Sequence, residues 1–524
     1  MSSSATEEIW IVPFFGQGHL FPSMELCKQI ASRNYKSNFI VSSHLSNSIP
    51  SSLYQYSLVE ITEIPSSPPA PPPRPQPRPQ PGSDPPQHQH VMHSQMAQGF
   101  ENLLSKRVPV CVVIDVMMGW TADVFKKFQV PIVAFFTSGA CSAALEYAMW
   151  QAHLDPEDIK PGEIRSLPGL PENLGLSRSD IQGRPHPHNH HGGPPPPHSP
   201  PPGAPGPKKL GPPTPGDQPM WIAETEGSIA LMINTCDDLE QPFIKYLANQ
   251  LGKPVWGVGP LLPEQFYKSA AAASSSAGSV LVHDREIRTN RRRSNVTEEE
   301  VIQWLDSKAP GSVLYVSFGT EVGPSLEEYS ELAKALEATK AAFIWVIPEG
   351  AGRSGPPPPA PPPPHLTGAG SELPEGYCPD GMDNKVGKRG LIIRGWAPQL
   401  LILSHPSTGG ILSHCGWNST LEAIGCGVPV LGWPIRGDQH YNAKLVINHL
   451  KVGCMVCNDD DVSKSIRMDD ILNGIGRLMG NGDGRKEMKK RADMLRTIFD
   501  HGFPATSVAS LDAFIHLIHQ KQSV

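Results

Sequence analysis

The chain has 524 residues, more than one hydrophobic core normally supports, so two domains are the expectation. A formal net charge of −7 and a pI near 6.3 argue against the basic face that a nucleic-acid binder needs. Nine scattered cysteines with no paired-knuckle spacing fit reduced thiols in a reducing compartment, and the isolated Cys454–Cys457 pair reads as small buried apolar residues.

The start, MSSSATEEIW, is polar and acidic and lacks the basic, then apolar, run of a secretory signal. No stretch approaches the roughly 18–20 apolar residues that span a bilayer. The expectation is a soluble cytoplasmic protein, in which the sequons at Asn295 and Asn418 carry little weight.

In chain order, apolar runs alternate with stretches of helical spacing. The first half offers IWIVPFF, SNFIVSS, LVEITEI, VCVVIDV, PIVAFFTS, IALMINT and PVWGVGP as strands, with helices near 20–33, 120–129 and 139–152. The second half restarts with the helix TEEEVIQWLDS. It continues through SVLYVSFG, a helix near 325–340, AFIWVIPE, LIIRGW, GGILSHC and VPVLGWP. Runs without polar interruption suit strands covered on both faces, as in parallel sheets. Strand–helix alternation in both halves predicts two doubly wound α/β domains with a site in the cleft between them.

Proline punctuates this pattern. Of 58 prolines, 12 fall in residues 65–86, 14 in 185–215 and 8 in 356–364, which leaves the rest of the chain ordinary in proline content. Such tracts cannot join sheets or helices. The five histidines His186, His188, His190, His191 and His198 in the second tract lack a preorganised metal geometry. Residues 269–296, rich in Ala, Ser and Arg, read as an interdomain linker.

The most informative block is 396–439, WAPQLLILSHPSTGGILSHCGWNSTLEAIGCGVPVLGWPIRGDQ. GGILSHCGWNSTLEAIGCG reads as strand, tight turn and helix. The helix is expected to open near Asn418–Ser419, both preferred cap residues. Gly416 relieves the turn. His414, Asn418 and Ser419 converge with the first amides on a ready anion site suited to a diphosphate. Trp396, held before Ala397-Pro398, offers a platform for a base. Glu422, one turn on, suits ribose hydroxyls, and Asp438 and Gln439 suit sugar hydroxyls. Singly, Trp396 could be core, Glu422 a solvated helix residue and Asp438 a helix cap; together they read as a nucleotide-sugar site.

This block resembles, from end to end, the signature box of plant family-1 UDP-dependent glycosyltransferases, with its WAPQ opening, HCGWNS centre and DQ end. The likeness extends to GQGH at 16–19, VIDV with its following Trp, FTS at 136–138 and SFGT at 317–320. It implies the GT-B fold: two facing Rossmann-like domains with the active site in the interdomain cleft. The expected division is an acceptor-binding domain at 1–265, a linker at 266–297 and a UDP-sugar-binding domain at 298–502. The helix at 503–524 is expected to pack back on the first domain. The resemblance implies that Trp396 stacks on uracil, the Ala397 backbone reads its edge, and Gln399 and Glu422 hold ribose. Ser317, His414, Asn418 and Ser419 would contact the diphosphate. Trp417, Asp438, Gln439 and Thr137 would surround the hexose, Gln439 being the family's usual choice for glucose donors.

A neutral imidazole suits removal of the acceptor proton, so His19 is the expected base, paired with Asp115 at the end of the fourth strand. A helix N-terminus would take up the leaving charge, so no metal and no cofactor are expected, and inversion would give a β-glucoside. Phe14, Phe15, Met117, Met118, Trp120 and Phe136 are expected to line the acceptor pocket. The leading expectation is an inverting UDP-glucose-dependent glucosyltransferase acting on a hydroxyl of a small phenolic acceptor, with a flavonoid foremost. The alternatives are C-glucosylation of an electron-rich ring and a non-catalytic UDP-sugar-binding protein. A nicotinamide or flavin oxidoreductase fails, because Gly16-Gln17-Gly18 lacks a third glycine and SNFIVSS supplies no acidic residue at the next strand's end. Protein partners of the proline tracts are unassigned.

Overall fold

The structure is a computed structural model that describes residues 7–65, 87–160, 162–182, 216–268, 294–348, 351, 377, 381–457 and 464–522. The proline tracts at 65–86, 185–215 and 356–364, the five histidines of the second tract and the linker at 269–296 lie wholly or mainly outside these residues.

The apolar runs of the first half form one parallel sheet. Its strands are β1 (Glu8–Val12), β2 (Lys36–Ser42), β3 (Val59–Ile64), β4 (Cys111–Asp115), β5 (Ile132–Phe136), β6 (Ala230–Ile233) and β7 (Val255–Gly257), in the order β3-β2-β1-β4-β5-β6-β7. β4, β5 and β6 are buried at every position, the pattern of strands covered by helices on both faces. On one face Trp10, Phe100, Phe125 and Met118 pack together; on the other, Phe39, Phe135 and Met232 do.

The second half forms a six-stranded parallel sheet from β8 (Val313–Ser317), β9 (Ala342–Ile347), β10 (Gly390–Arg394), β11 (Thr408–Ser413), β12 (Val430–Gly432) and β13 (Gly453–Met455), in the order β10-β9-β8-β11-β12-β13. Both sheets reverse direction of strand order beside their first strand, between β1 and β4 and between β8 and β11. Such switch points leave a crevice beyond the strands' carboxyl ends. β13 was not anticipated, being only three residues long. It carries Cys454, which, like Cys457, packs against the second domain's core.

The helix Glu298–Asp306 that opens the second half carries a full capping box between Thr297 and Glu300, and Leu326–Ala338 carries another between Ser325 and Glu328. The last helix, Ala505–Gln522, buries Leu511, Phe514 and Ile518 in the core beneath β1 and β2. Arg33 pairs with Asp512 at 2.7 Å there. Among the described residues, no helix is long and apolar enough to cross a membrane.

Candidate active site

β1 ends in Pro13-Phe14-Phe15 and turns through Gly16 into the helix Gln17–Ala31, so His19 stands in the first helical turn beyond the sheet's carboxyl edge. β4, hydrogen-bonded directly to β1, ends at Asp115. His19 Nδ1 lies 2.8 Å from Asp115 Oδ2 and 2.9 Å from Thr137 Oγ1. The other carboxylate oxygen, Oδ1, accepts from the Met117 amide at 2.9 Å, which fixes the aspartate's rotamer. A carboxylate only accepts, so Nδ1 carries the hydrogen and the lone pair sits on Nε2, which has no hydrogen-bond partner among the described residues. Asp115 is 1% exposed, whereas the His19 side chain is 28% exposed. Burial lowers the imidazole pKa, but Asp115, Glu321 and Asp438 outweigh it and hold the group above its ordinary 6.5. Glu321 was not anticipated. It comes from the second domain, and its Oε1 would lie 3.5 Å from a Cβ placed on Gly16.

Facing this pair, β11 leads through His414-Cys415-Gly416 into the helix Trp417–Gly425. The expected side-chain cap differs from what the structure holds. Gly416 is the cap residue, no side chain closes the helix, and Asn418 and Ser419 lie inside it. The Asn418 amide instead donates to the Gly18 carbonyl at 3.1 Å, across the cleft. The first amides of the helix have no intrahelical acceptor and remain an anion-binding terminus. His414 fits here only because two neighbours lack side chains: a Cβ on Gly416 would come within 2.4 Å of Nε2, and one on Gly319 within 3.0 Å of the ring. Burial pushes the His414 pKa down to about 4, and its buried Nδ1 has no hydrogen-bond partner among the described residues. It is a neutral imidazole near neutral pH.

Cys415 adopts φ +62°, a left-handed conformation that L-residues rarely hold. Asn442, fully buried and not singled out in the sequence, secures it by donating to the Cys415 carbonyl at 3.1 Å and to Asp438 Oδ2 at 2.9 Å. Asp438 Oδ2 also accepts from Ser138 Oγ at 2.5 Å. Gln439 Oε1 accepts from the amides of Ile435 and Arg436 at 2.9 and 3.1 Å. Gln399 donates to Glu422 Oε2 at 2.7 Å and to Ser419 Oγ at 3.1 Å, so these three form one network. Ser317 ends β8 beside Gly319, whose amide donates to its hydroxyl at 3.4 Å. Trp396 is half-buried, with its indole nitrogen lacking a protein partner. Ala397 follows, buried, ahead of the helix Gln399–Ser404. The Trp417 ring lies in the seam between domains, where its indole donates to the Asn234 carbonyl at 2.7 Å.

The expected acceptor wall divides. Phe14 meets the His19 ring edge-on at 5.1 Å and Phe15 at 5.4 Å. Phe136, beside Thr137, meets Trp221 at 5.7 Å. Met118 departs from the expectation. It is 1% exposed and packs among Phe100, Phe125 and Trp10, because the single turn Val116–Thr121 points it back under the sheet. Met117 is exposed on that turn, and Trp120 stacks on His93 at 4.2 Å. Among the described residues, no cluster of three or more His, Cys, Asp or Glu side chains is placed to hold a metal ion.

Two doubly wound domains, with the His19–Asp115 pair on one wall and the N-terminus of the Trp417–Gly425 helix on the other, form the GT-B fold. Residues 288–492 match the family model of UDP-glucoronosyl and UDP-glucosyl transferases. The chain is 25% identical to UDP-glycosyltransferase 73B3 of Arabidopsis thaliana, over 98% of this chain and 99% of that protein. It is 27% identical to scopoletin glucosyltransferase of Nicotiana tabacum, over 94% of each. It is 28% identical to UDP-glucose flavonoid 3-O-glucosyltransferase 7 of Fragaria ananassa, over 93% and 90%. The solved Medicago truncatula UGT71G1 complexed with UDP-glucose superposes with a TM-score of 0.68 at 20% identity, covering 98% of both chains. Beyond that matched segment, the likeness to plant UDP-glycosyltransferases runs over nearly the whole chain.

Proposed function

We propose that the protein moves glucose from UDP-glucose to a hydroxyl of a small phenolic acceptor with inversion, giving a β-O-glucoside, in the cytoplasm. The observation that carries this reading is His19. Its Nδ1 is held by Asp115, and its Nε2 has no hydrogen-bond partner among the described residues. The acceptor hydroxyl gives its proton to Nε2 as its oxygen attacks the anomeric carbon. Asp115 then stabilises the imidazolium.

The leaving diphosphate is met by the amides opening Trp417–Gly425 and by the neutral His414, with Ser317, Asn418 and Ser419 alongside. Trp396 and Ala397 take uracil, and Gln399 and Glu422 the ribose. Asp438, Gln439, Thr137 and Trp417 surround the hexose. This reading uses no metal and no further cofactor. The flavonoid-acting relative supports a phenolic acceptor, with Phe14, Phe15 and Phe136 as its aromatic wall.

The test is product formation from UDP-glucose with a phenolic panel, read by mass spectrometry and by the anomeric coupling in NMR. The wild-type protein gives β-glucosides and His19→Ala falls by a factor of about 10²–10⁴. An unchanged rate in His19→Ala sinks the mechanism.

A further inference from the structure

One carboxylic acid on the acceptor side of the cleft has no part in that chemistry. Glu146 lies on the helix Ala140–Gln151, which starts just after Thr137 and Ser138, the contacts of His19 and Asp438. Its Oε2 accepts from the Trp221 indole at 2.9 Å, and Oε1 has no hydrogen-bond partner among the described residues. The residue is half-buried, so Oε1 is neither sealed in the core nor fully in water. Trp221 meets Phe136 at 5.7 Å and Tyr147 at 6.5 Å, so the carboxyl borders an aromatic wall.

Burial lifts the Glu146 pKa to about 7; the Trp221 hydrogen bond works against this, and the charge of Asp438 adds to it. Through Trp221, which meets Phe136, the carboxyl stands near the end of β5, where Thr137 touches His19. A lone indole N–H needs only a neutral acceptor. An ionisable group in a half-dry setting is costly unless its second oxygen is also used. The other charge that acts on Glu146, that of Asp438, is also negative.

Resting on the glucosyltransfer proposed above, we infer that Glu146 is a specificity-determining residue of the acceptor cavity. Its Oε1 accepts a hydrogen bond from a second hydroxyl at the far end of the acceptor. The site therefore selects neutral polyhydroxylated phenolics over monophenols and over phenolic carboxylates.

The test uses three rigid probes, a naphthol, a dihydroxynaphthalene and a hydroxynaphthoic acid, with UDP-glucose at about pH 8, where a carboxyl of this kind is mostly ionised. Beyond the statistical factor for two hydroxyls, the wild-type protein favours the dihydroxy probe over the naphthol by about tenfold in kcat/KM, expressed in KM. The naphthoic acid ranks last. Glu146→Ala abolishes the dihydroxy preference. Glu146→Gln, whose single amide oxygen stays on the Trp221 indole, presents an NH2 donor in place of Oε1, so it loses most of that preference and relieves the rejection of the acid. The KM for UDP-glucose stays the same in all three proteins. A wild-type probe ratio surviving in Glu146→Ala, or a UDP-glucose KM moving in step with the acceptor KM, overturns the assignment. Absence of any glucoside from the wild-type protein overturns the phenolic reading itself, and the assignment with it.

Discussion

Trp417 and Asn234 come from opposite domains, and the indole N–H of the first donates to the backbone carbonyl of the second at 2.7 Å. The Asn234 side chain is buried and donates to the Thr137 carbonyl at 3.4 Å while accepting from the Leu261 amide at 2.7 Å. One hydrogen bond thus ties the helix that faces the donor to the turn that touches His19. The Trp417 ring closes the seam by lying against Gly139, where an added Cβ would sit 2.8–3.0 Å from three ring carbons.

Gly139→Ala therefore forces the ring or the domain seam to move. Overpacking of this kind costs about 1–3 kcal/mol. The backbone of Gly139 is extended, so conformational strain adds nothing. The expected outcome is a lower unfolding midpoint together with a raised KM for UDP-glucose, read by thermal melts and initial rates. Stability lost with donor KM unchanged would show that the seam does not position the donor site.

In the proposed mechanism the His19–Asp115 pair sets the acid limb of the pH profile. The imidazole acts as a base only when neutral, so kcat/KM falls as pH drops through its folded pKa, which lies above 6.5. Asp115→Asn removes the principal carboxylate raising that value, so the limb moves to lower pH while the plateau rate drops by a factor of about 10²–10⁴. Glu321→Gln moves the limb the same way by less, with the plateau kept. Stability follows the same linkage. The raised folded pKa contributes stability that is fully present below the unfolded value of about 6.5 and is lost as pH rises through the folded value. The advantage of the wild-type protein over His19→Gln in urea titrations is accordingly larger at acid pH than at alkaline pH.

His414 and Gly416 make a separate prediction for the diphosphate. With its pKa near 4, His414 stays neutral across the working range, so it contributes no protonation step to UDP binding there. His414→Ala weakens UDP by about tenfold, the loss expected for one hydrogen bond to a charged group. Gly416→Ala drives a methyl toward Nε2 and weakens UDP at least as much. Calorimetric titration with UDP alone measures both, and unchanged affinity in Gly416→Ala would remove His414 from the diphosphate site.

Much of this was legible in the sequence because parallel strands buried on both faces leave long apolar runs. The two doubly wound domains followed from those runs, and His19 and Asp115 meet across 96 positions because β1 and β4 are neighbours. What escaped depends on side-chain direction, which spacing does not encode. Met118 turns into the core while Met117, one residue earlier, turns out. The Trp417 indole finds the Asn234 carbonyl 183 positions away, a contact that spacing within its block does not show. Asn418 reads as a helix cap, but its amide finds the Gly18 carbonyl 400 positions away. Asn442, Ser138 and Glu321 carry no local signal, since each matters only through a partner brought near by the fold.

Gln439 shows how a side chain's own anchoring determines which of its atoms is left to meet the sugar in the proposed site. Its Oε1 is engaged by the amides of Ile435 and Arg436, so the carbonyl end of the amide is fixed. Nε2 has no hydrogen-bond partner among the described residues and presents its two hydrogens away from that anchor. Gln439→Glu keeps an oxygen on both backbone amides but replaces the donor with an acceptor. Gln439→Ala loses anchor and donor together. If the donor matters, Gln439→Glu raises the KM for UDP-glucose by about tenfold, the cost of one lost hydrogen bond, with a melting temperature near that of the wild-type protein. UDP affinity is unchanged, because the nucleotide contacts lie elsewhere. If Gln439 only braces the loop, Gln439→Glu retains full activity and Gln439→Ala alone loses it. Measuring glucose-transfer rates, UDP binding and melting for both variants separates the two roles.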